Sequence, residues 1–196
     1  MPFFSVLIVN YNGAGWIGRA LESLKAQTFQ DFEVILVDNA SSDGSLAEAR
    51  SASRSDWTLI ASDENLGFAK GNNVAATHAK GRWLALLNPD AQAHPDWLEH
   101  VADGIRRHPG STMFACTQFA TEDPTLLDGA GDAFLGFGIP WRGGFRRSAS
   151  ELPSEGQCFS PCGASAIYKK SVFDDAEGFD TRFFCYCEDI DLGFRL

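Results

Sequence analysis

Short apolar runs alternate along the chain with longer segments in which apolar residues recur at helical spacing. The runs Ser5–Val9, Glu33–Val37 and Trp83–Leu87 are a strand's length and almost wholly apolar, which is typical of strands covered on both faces. Trp16–Gln27 and Trp97–Ile105 place their apolar residues on one helical face. This alternation predicts βαβ units, a mostly parallel sheet and right-handed crossovers, and therefore an α/β fold.

The other predicted elements continue this rhythm, except between Thr121 and Pro161. That segment is irregular and contains six glycines between Asp128 and Phe145, so we expect a functional loop or a mobile segment there. The remaining elements are a helix from Ser42 or Asp43 to about Arg54, a strand at Thr58–Ala61, a helix at about Ala69–Ala79, strand character at Met113–Thr117 and Ala164–Tyr168, a short helix at Lys169–Ala176, and a helix that begins at Glu188. No stop signal follows that last helix, which predicts that the chain is cut within it.

Polar side chains follow three of the predicted strands. Asn10-Tyr11 ends the first strand, Asp38 the second, and Asn88-Pro89-Asp90 the strand at Trp83–Leu87. Pro89 cannot donate to a strand ladder and pushes its predecessor out of helical conformation. Ligands bind at the carboxyl ends of strands in open α/β sheets, although turn chemistry alone also accounts for Asn-Pro-Asp.

Composition narrows the class of protein. The 196 residues, 44% of them hydrophobic, suit one domain spanning 1–196, and the net charge of −10 argues against general nucleic-acid binding. No apolar run approaches the length of a membrane span, and the absence of Lys and Arg from the first eighteen residues argues against a secretory signal. We therefore expect a cytoplasmic location.

The cysteines and the arginines of the irregular segment each allow two interpretations. Five cysteines without an export signal indicate reduced thiols. The pairs Cys158–Cys162 and Cys185–Cys187 lack the usual zinc-finger spacing, so core or incidental cysteines are favoured over a zinc site. The segment also contains three arginines, which form either a solvated basic patch or a contact with an anionic substrate. These are Arg142, Arg146 and Arg147.

The first loop supports an oxidoreductase as one alternative. Gly13-x-Gly15-x-x-Gly18 follows a strand and opens a helix, and Asp38 lies 20 residues beyond Gly18, which together match the dinucleotide-binding fingerprint for NAD. However, three residues separate the strand from the first glycine, and the bulky Trp16 lies where a pyrophosphate must approach the backbone. This alternative also assigns no role to Asn88-Pro89-Asp90.

A nucleoside diphosphate accounts for all three strand ends. Tyr11 offers an aromatic face for a base, and Asp38 accepts hydrogen bonds from a base or ribose. Asn88 and Asp90 then lie where a diphosphate arrives. An acidic protein needs a divalent cation to hold a diphosphate, and carboxylate and amide oxygens are the ligands that Mg²⁺ or Mn²⁺ prefers.

Six segments, in order along nearly the whole chain, resemble the inverting family 2 glycosyltransferases of the GT-A fold, particularly their rhamnosyltransferase-like members. The resemblance implies sugar transfer from a dTDP- or UDP-linked donor to a saccharide or lipid-linked acceptor, and peripheral membrane association through segments beyond this chain. The segments are Val6–Asn12, Val37–Ser45, Glu64–Asn73, Leu86–Asp90, Cys162–Ala166 and Gly178–Arg195.

The resemblance also implies roles for individual residues. The donor site comprises Asn10, Tyr11, Asp38, Asn65, Gly67, Asn72, Asn88 and Asp90, with Asn88 and Asp90 at the metal-binding D-x-D position. Asp189 stands at the position of the catalytic base, with Glu188 beside it. Because Asn88 replaces the first acid of D-x-D, metal dependence stays open, and so does the alternative that the domain binds a nucleotide sugar without transferring it.

Overall fold

The structure is a computed structural model that describes residues 1–152 and 155–196. The strands are β1 (Phe4–Asn10), β2 (Phe32–Asp38), β3 (Thr58–Ala61), β4 (Trp83–Leu86), β5 (Met113–Ala115), β6 (Gln118–Phe119), β7 (Leu127–Gly129), β8 (Asp132–Leu135), β9 (Ile139–Arg142) and β10 (Ala166–Lys169). The α-helices are α1 (Ile17–Lys25), α2 (Ser45–Ala52), α3 (Gly67–His78), α4 (Trp97–Arg107), α5 (Lys170–Asp175) and α6 (Glu188–Arg195), and short 3₁₀ turns lie at Ala149–Glu151 and Gly163–Ser165.

The central sheet has the strand order β3-β2-β1-β4-β10-β5. Strands β1 to β4 pair in parallel, whereas β10 is antiparallel to both of its neighbours. The register sets Asn10 opposite Asp38, so the polar ends of β1 and β2 meet at one edge. The predicted mostly parallel α/β sheet is confirmed.

Both faces of the sheet are covered, which explains why its strands are apolar without alternation. Val6 and Ile8 of β1 pack with α1 and α4 on one face, while Leu7 packs with α3 and the aromatic side chains of Phe173 and Phe179 on the other. The strand β4 is likewise divided between the two faces and is buried throughout. The prediction of a buried strand at Trp83–Leu87 is confirmed, although its ladder ends at Leu86.

The segment predicted to be irregular contains regular structure. Strands β6 and β7 form one antiparallel pair, and β8 and β9 form a hairpin, so the expectation of a purely irregular segment was wrong. These strands are two to four residues long. A strand this short shows too few alternations for a period of two to be recognised.

Two smaller features complete the fold. Helix α2 begins after Gly44 rather than after Ser42 or Asp43, but the Asp43 carboxylate still accepts a hydrogen bond from the Ser45 amide at 2.9 Å.

Among the helices in residues 1–152 and 155–196, none combines the length and the apolar character needed to cross a membrane.

We predict that Leu84→Ala lowers the free energy of unfolding by about 2–5 kcal/mol, because Leu84 is fully buried within β4 and its truncation leaves a cavity. Urea denaturation of both proteins measures the difference. Leu135→Ala, in the exposed part of the β8–β9 hairpin, is the matched control and should cost less than about 1 kcal/mol. Equal losses in the two variants would contradict the assignment of β4 to the core.

Candidate active site

A buried hydrogen-bond network joins the carboxyl ends of β1 and β2. The Asn10 side-chain amide donates to Asp38 Oδ1 at 2.8 Å and to the Ser45 hydroxyl at 2.9 Å, and it also lies 3.2 Å from the Ser41 hydroxyl. Asp38 Oδ2 accepts from the Ser41 backbone amide at 3.0 Å, and Asp38 is only 1% exposed. Asn10 thus fixes the position of the Asp38 carboxylate. Direct contact between Asn10 and a nucleotide-sugar donor stays a prediction.

Asn39 connects this hydrogen-bond network to helix α3, a role that the sequence did not suggest. Its side-chain amide donates to the Gly67 carbonyl at 3.0 Å, and its backbone amide is bonded to the Asn10 carbonyl. Asn39 Oδ1 is buried and accepts no hydrogen bond in residues 1–152 and 155–196. A polar residue directly after Asp38 was visible in the sequence, but its direction into the protein was not.

The start of α3 has a conformation that requires glycine. Asn65 Oδ1 accepts from the Gly67 amide at 2.9 Å, and Gly67 has a φ of +74°. A Cβ at Gly67 would clash with the Phe184 carbonyl oxygen, which accepts a hydrogen bond from the Phe68 amide at 2.8 Å. Asn72 is buried and donates to the Phe68 carbonyl. Asn65, Gly67 and Asn72 therefore shape the junction between α3 and the chain before α6, and their contact with a donor stays a prediction.

Tyr11 and Asp90 line one pocket of about 500 Å³. The Tyr11 side chain is 52% exposed, so its ring is available for stacking. The other lining residues are Asn12, Gly13, Trp16, Pro89, Thr121 and Glu122. The structure thus brings together the two strand ends at which the sequence predicted a base platform and a metal ligand.

The end of β4 is connected to the start of α6 through the 3₁₀ turn at Gly163–Ser165. The Asn88 amide donates to the Ala164 carbonyl at 3.0 Å, and the Gly163 amide donates to Asp189 Oδ2 at 2.8 Å. Asp189 Oδ1 accepts from the Ile190 amide at 2.8 Å. Two backbone amides therefore orient the Asp189 carboxylate, and one turn links the D-x-D position to the predicted base.

The side chains of Asn88 and Asp90 are suited to a hard divalent cation. Asn88 is half-buried and Asp90 is exposed, and neither side chain makes a hydrogen bond within the described parts of the chain. Their amide and carboxylate oxygens are the donor type that Mg²⁺ and Mn²⁺ take. The residues present fit such an ion, with one carboxylate where D-x-D has two.

Asn88 and Asp90 also border a groove of about 1910 Å³, together with Arg142 and Arg147. Both arginines are paired with acids: Arg142 with Asp128 at 2.9 Å and Arg147 with Glu151 at 3.4 Å. Their contact with an anionic substrate stays a prediction.

Glu188 is a buried acid at the first position of α6. It is 4% exposed, and its Oε2 has no partner among the residues described. Burial, the larger cause, and the negative charge of Asp189 together raise the pKa of Glu188 to about 7, against the effect of hydrogen bonds from backbone amides.

A third acid, Asp132, lies beside Asp189 and was missed by sequence reasoning. One carboxylate oxygen of each acid and the Cys162 sulfur lie within 4.8 Å of one another, a grouping that can hold a metal ion. Burial, and then the charge of Asp189, raise the pKa of Asp132 to about 6, which Arg142 partly offsets. Asp132 lies in the segment without a readable pattern, so no spacing connected it with Asp189.

The glycine-rich loop cannot serve as a dinucleotide cradle in this arrangement. The amides of Gly15 and Gly18 donate to the two carboxylate oxygens of Glu48, at 2.8 and 3.1 Å, and the Ala14 amide donates to Asp43 at 2.8 Å. Acidic side chains thus occupy the donors that a pyrophosphate would need. The oxidoreductase alternative is not favoured.

Comparison with known sequences agrees with this geometry. The family described as Glycosyl transferase family 2 matches residues 5–176. An N-acetylglucosaminyl-diphospho-decaprenol L-rhamnosyltransferase of Mycobacterium tuberculosis is 29% identical over 97% of this chain and 69% of its own length.

Solved structures show the same fold. TarS 1-349 of S. aureus in complex with UDP aligns with a TM-score of 0.69 and 24% identity over 98% of this chain. A mannosyltransferase from Pyrobaculum calidifontis, in complex with GDP-Man and Mn²⁺, aligns with a TM-score of 0.68 and 21% identity over 92% of this chain. The chain spans about half of these structures, 54% and 48% respectively. The predicted GT-A fold is confirmed.

We predict that Glu188→Gln stabilises the protein at pH 8 but not at pH 4.5. A folded pKa raised to about 7 means that Glu188 favours the folded state below its unfolded pKa and loses this contribution as pH rises through 7. The variant avoids that loss, so its gain in unfolding free energy should reach about 3 kcal/mol at pH 8. Urea denaturation at both pH values measures the gain.

Glu64→Gln, which removes a charge from an exposed carboxyl group, is the control for the change in net charge. A gain from Glu188→Gln that is the same at pH 4.5 and at pH 8 would show that the charge of Glu188 is not the cause.

Proposed function

This chain belongs to glycosyl transferase family 2, and we propose that it moves a sugar, with rhamnose as the leading candidate, from a nucleoside diphosphate to an acceptor hydroxyl, inverting the anomeric carbon. One observation carries the proposal. A single hydrogen-bonded turn joins the end of β4, where Asn88 and Asp90 face the grooves, to the Asp189 carboxylate. This arrangement supports the proposal that a departing diphosphate and a catalytic base lie at one edge of the sheet.

The donor is proposed to lie across the ends of β1, β2 and β4. Tyr11 supplies a half-exposed aromatic face for the base, and Asp38 supplies carboxylate lone pairs for base or ribose groups. The relative that is a rhamnosyltransferase, and the neighbours that carry UDP or GDP-Man, support a nucleoside-diphosphate donor. We propose a dTDP- or UDP-linked sugar.

Asn88 and Asp90 are proposed to hold Mg²⁺ or Mn²⁺ with the donor diphosphate. The mannosyltransferase neighbour contains Mn²⁺. When bound, such an ion neutralises charge that develops on the leaving diphosphate. The protein's own contribution is to present Asp90 on the turn after Pro89, where no other described side chain competes for its carboxylate.

Asp189 is proposed to act as the general base. The acceptor hydroxyl loses its proton to Asp189 while its oxygen bonds to the anomeric carbon and the bond to the diphosphate breaks. The amides of Gly163 and Ile190 fix the carboxylate for this step. Glu188 is the second candidate, but its unpartnered oxygen is buried.

The acceptor is proposed to be a saccharide or a lipid-linked saccharide. The name of the mycobacterial relative describes an acceptor with a diphosphate and a decaprenol chain. By this analogy the protein would work at the inner face of a membrane, with peripheral attachment. The groove beside Asn88, Arg142 and Arg147 is open enough to admit a large acceptor.

We predict that UDP or dTDP binds this chain, more tightly with Mn²⁺, and that Tyr11→Ala weakens binding about tenfold through lost stacking. Asp38→Ala should abolish measurable binding. Isothermal titration calorimetry gives the affinities, and thermal melting checks that the variants fold. Because Tyr11 is largely outside the core, its truncation should leave the melting temperature unchanged. Failure of any nucleoside diphosphate to bind, with or without Mn²⁺, would refute the donor site.

We predict that Asp189→Asn reduces transfer by at least about 10³-fold and leaves donor affinity unchanged, because the amide cannot accept the proton and the one backbone hydrogen bond that it loses lies on the base side. Product formation from a panel of nucleotide sugars and acceptors measures transfer, and calorimetry measures donor affinity. Asp191→Asn, on the same helix, is the matched control. Full activity in Asp189→Asn would move the base to Glu188, whereas donor binding without transfer by the wild type would favour a binding domain.

A further inference from the structure

Three side chains from three separate elements converge beside the start of α6. Asp132 begins β8, Cys162 precedes the turn at Gly163–Ser165, and Asp189 lies in the first turn of α6. Their oxygen and sulfur atoms all lie within 4.8 Å of one another. Asp132 and Cys162 are each 8% exposed, so two of the three are withdrawn from bulk water.

The Asp132 carboxylate is directed into this cluster without a partner. Its backbone amide donates to the Ser160 carbonyl and its carbonyl accepts from the Phe159 amide, whereas no hydrogen bond to its side-chain oxygens is found among residues 1–152 and 155–196. Asp132 as a residue is 8% exposed, and the carboxylate of so largely buried a residue is rarely left without a partner. Its missing partner is therefore an independent sign of a ligand.

The surroundings are short of positive charge. Asp132, Glu188 and Asp189 bring three carboxyl groups together, and the cation that acts on Asp132 is Arg142. Arg142 is already hydrogen-bonded to Asp128 at 2.9 Å. The Asp189 carboxylate, whose two oxygens each accept one backbone bond, keeps further lone pairs free. A cation placed among the three ligand atoms would relieve this repulsion.

The donor set selects the kind of cation. Two carboxylate oxygens and a thiolate sulfur suit Zn²⁺ or Co²⁺, whereas Mg²⁺ avoids sulfur. Metal–oxygen and metal–sulfur bonds of about 2.0–2.3 Å place the ligand atoms of a tetrahedral site about 3.3–3.8 Å apart. The three ligand atoms here lie within 4.8 Å of one another, so binding requires them to move closer by about an ångström. Three protein ligands would leave a fourth position for water.

We propose that Asp132, Cys162 and Asp189 form a site for a thiophilic divalent cation of the Zn²⁺ class, separate from the position at Asn88 and Asp90. Binding would displace the thiol proton of Cys162 to solvent and form a metal–sulfur bond. The site has one consequence that rests on the proposed function: with Asp189 bound to the cation, its carboxylate is withdrawn from the acceptor hydroxyl. The cation would then inhibit transfer reversibly.

Titration with Co²⁺ under a phosphine reductant tests the site without any substrate. The expected result is an ultraviolet band from sulfur-to-cobalt charge transfer, which Zn²⁺ then removes. Cys162→Ser should abolish the band, and Asp132→Asn should weaken Co²⁺ binding at least tenfold. Cobalt at Asn88 and Asp90 has only oxygen ligands and gives no such band, so it does not interfere.

Cys187→Ser is the matched control, because Cys187 lies next to α6 but is exposed and outside the cluster. Its band should match that of the wild type. No band in the wild type, or a band that survives Cys162→Ser, would overturn the site. Melting curves show whether each variant is folded, so that loss of the band in a folded variant is decisive.

The inhibition has its own readout. In the wild type, Zn²⁺ should suppress transfer, and a chelator should restore it. Calorimetry with nucleoside diphosphates in the same preparations separates the two proposals: a cobalt band without nucleotide binding supports the metal site and counts against the proposed function. Unchanged transfer with the site filled by Zn²⁺ would overturn the inhibitory consequence.

Discussion

The buried side-chain amide of Asn10 is the interaction on which the architecture of the site depends. Parallel pairing aligns the ends of β1 and β2, and the Asn10 amide then joins Asp38 to the hydroxyl at the start of α2. The buried NH2 group of Asn10 must find acceptors, since an unpaired donor costs about 1–3 kcal/mol. The strand ends, the loop after β2 and the first turn of α2 therefore form one unit, with Tyr11 left on its outer side.

The rest of the site is connected by hydrogen bonds in which at least one partner is a backbone group. The Gly67 carbonyl accepts from Asn39, the Phe68 amide donates to the Phe184 carbonyl, and the Gly163 amide donates to Asp189. Two of these bonds need a particular side chain, the Asn39 amide and the Asp189 carboxylate, and all three need the chain to follow one path. The path of the chain also explains why glycine is required at Gly67, where any Cβ would meet the Phe184 carbonyl.

The sequence predicted the sheet and its polar edge because both leave local signals. A strand buried on two faces is a continuous apolar run, and a strand end in a parallel sheet is marked by polar residues, as at Asp38 and Asn88. Two kinds of feature left no such signal. The short strands β7 to β9 show no period, which hid Asp132, and nothing in the sequence indicated that Asn10 and Asn39 point inward. The loop from Gly13 to Gly18 shows how spacing alone can mislead. Its glycines match the dinucleotide-binding fingerprint, but the amides of Gly15 and Gly18 already donate to the Glu48 carboxylate.

Charge finally limits what such a site can bind. The protein carries a net charge of −10, and its candidate site gathers carboxyl groups at Asp90, Asp132 and Asp189. A diphosphate brought to this edge meets repulsion unless cations arrive with it or are held for it. Asn88 in place of an acid reduces that repulsion and replaces a carboxylate ligand by a neutral amide oxygen, which favours a cation carried in by the donor over one held permanently. The thiol of Cys162 then distinguishes the two proposed cation positions chemically, because hard oxygen ligands and a sulfur ligand select different metals.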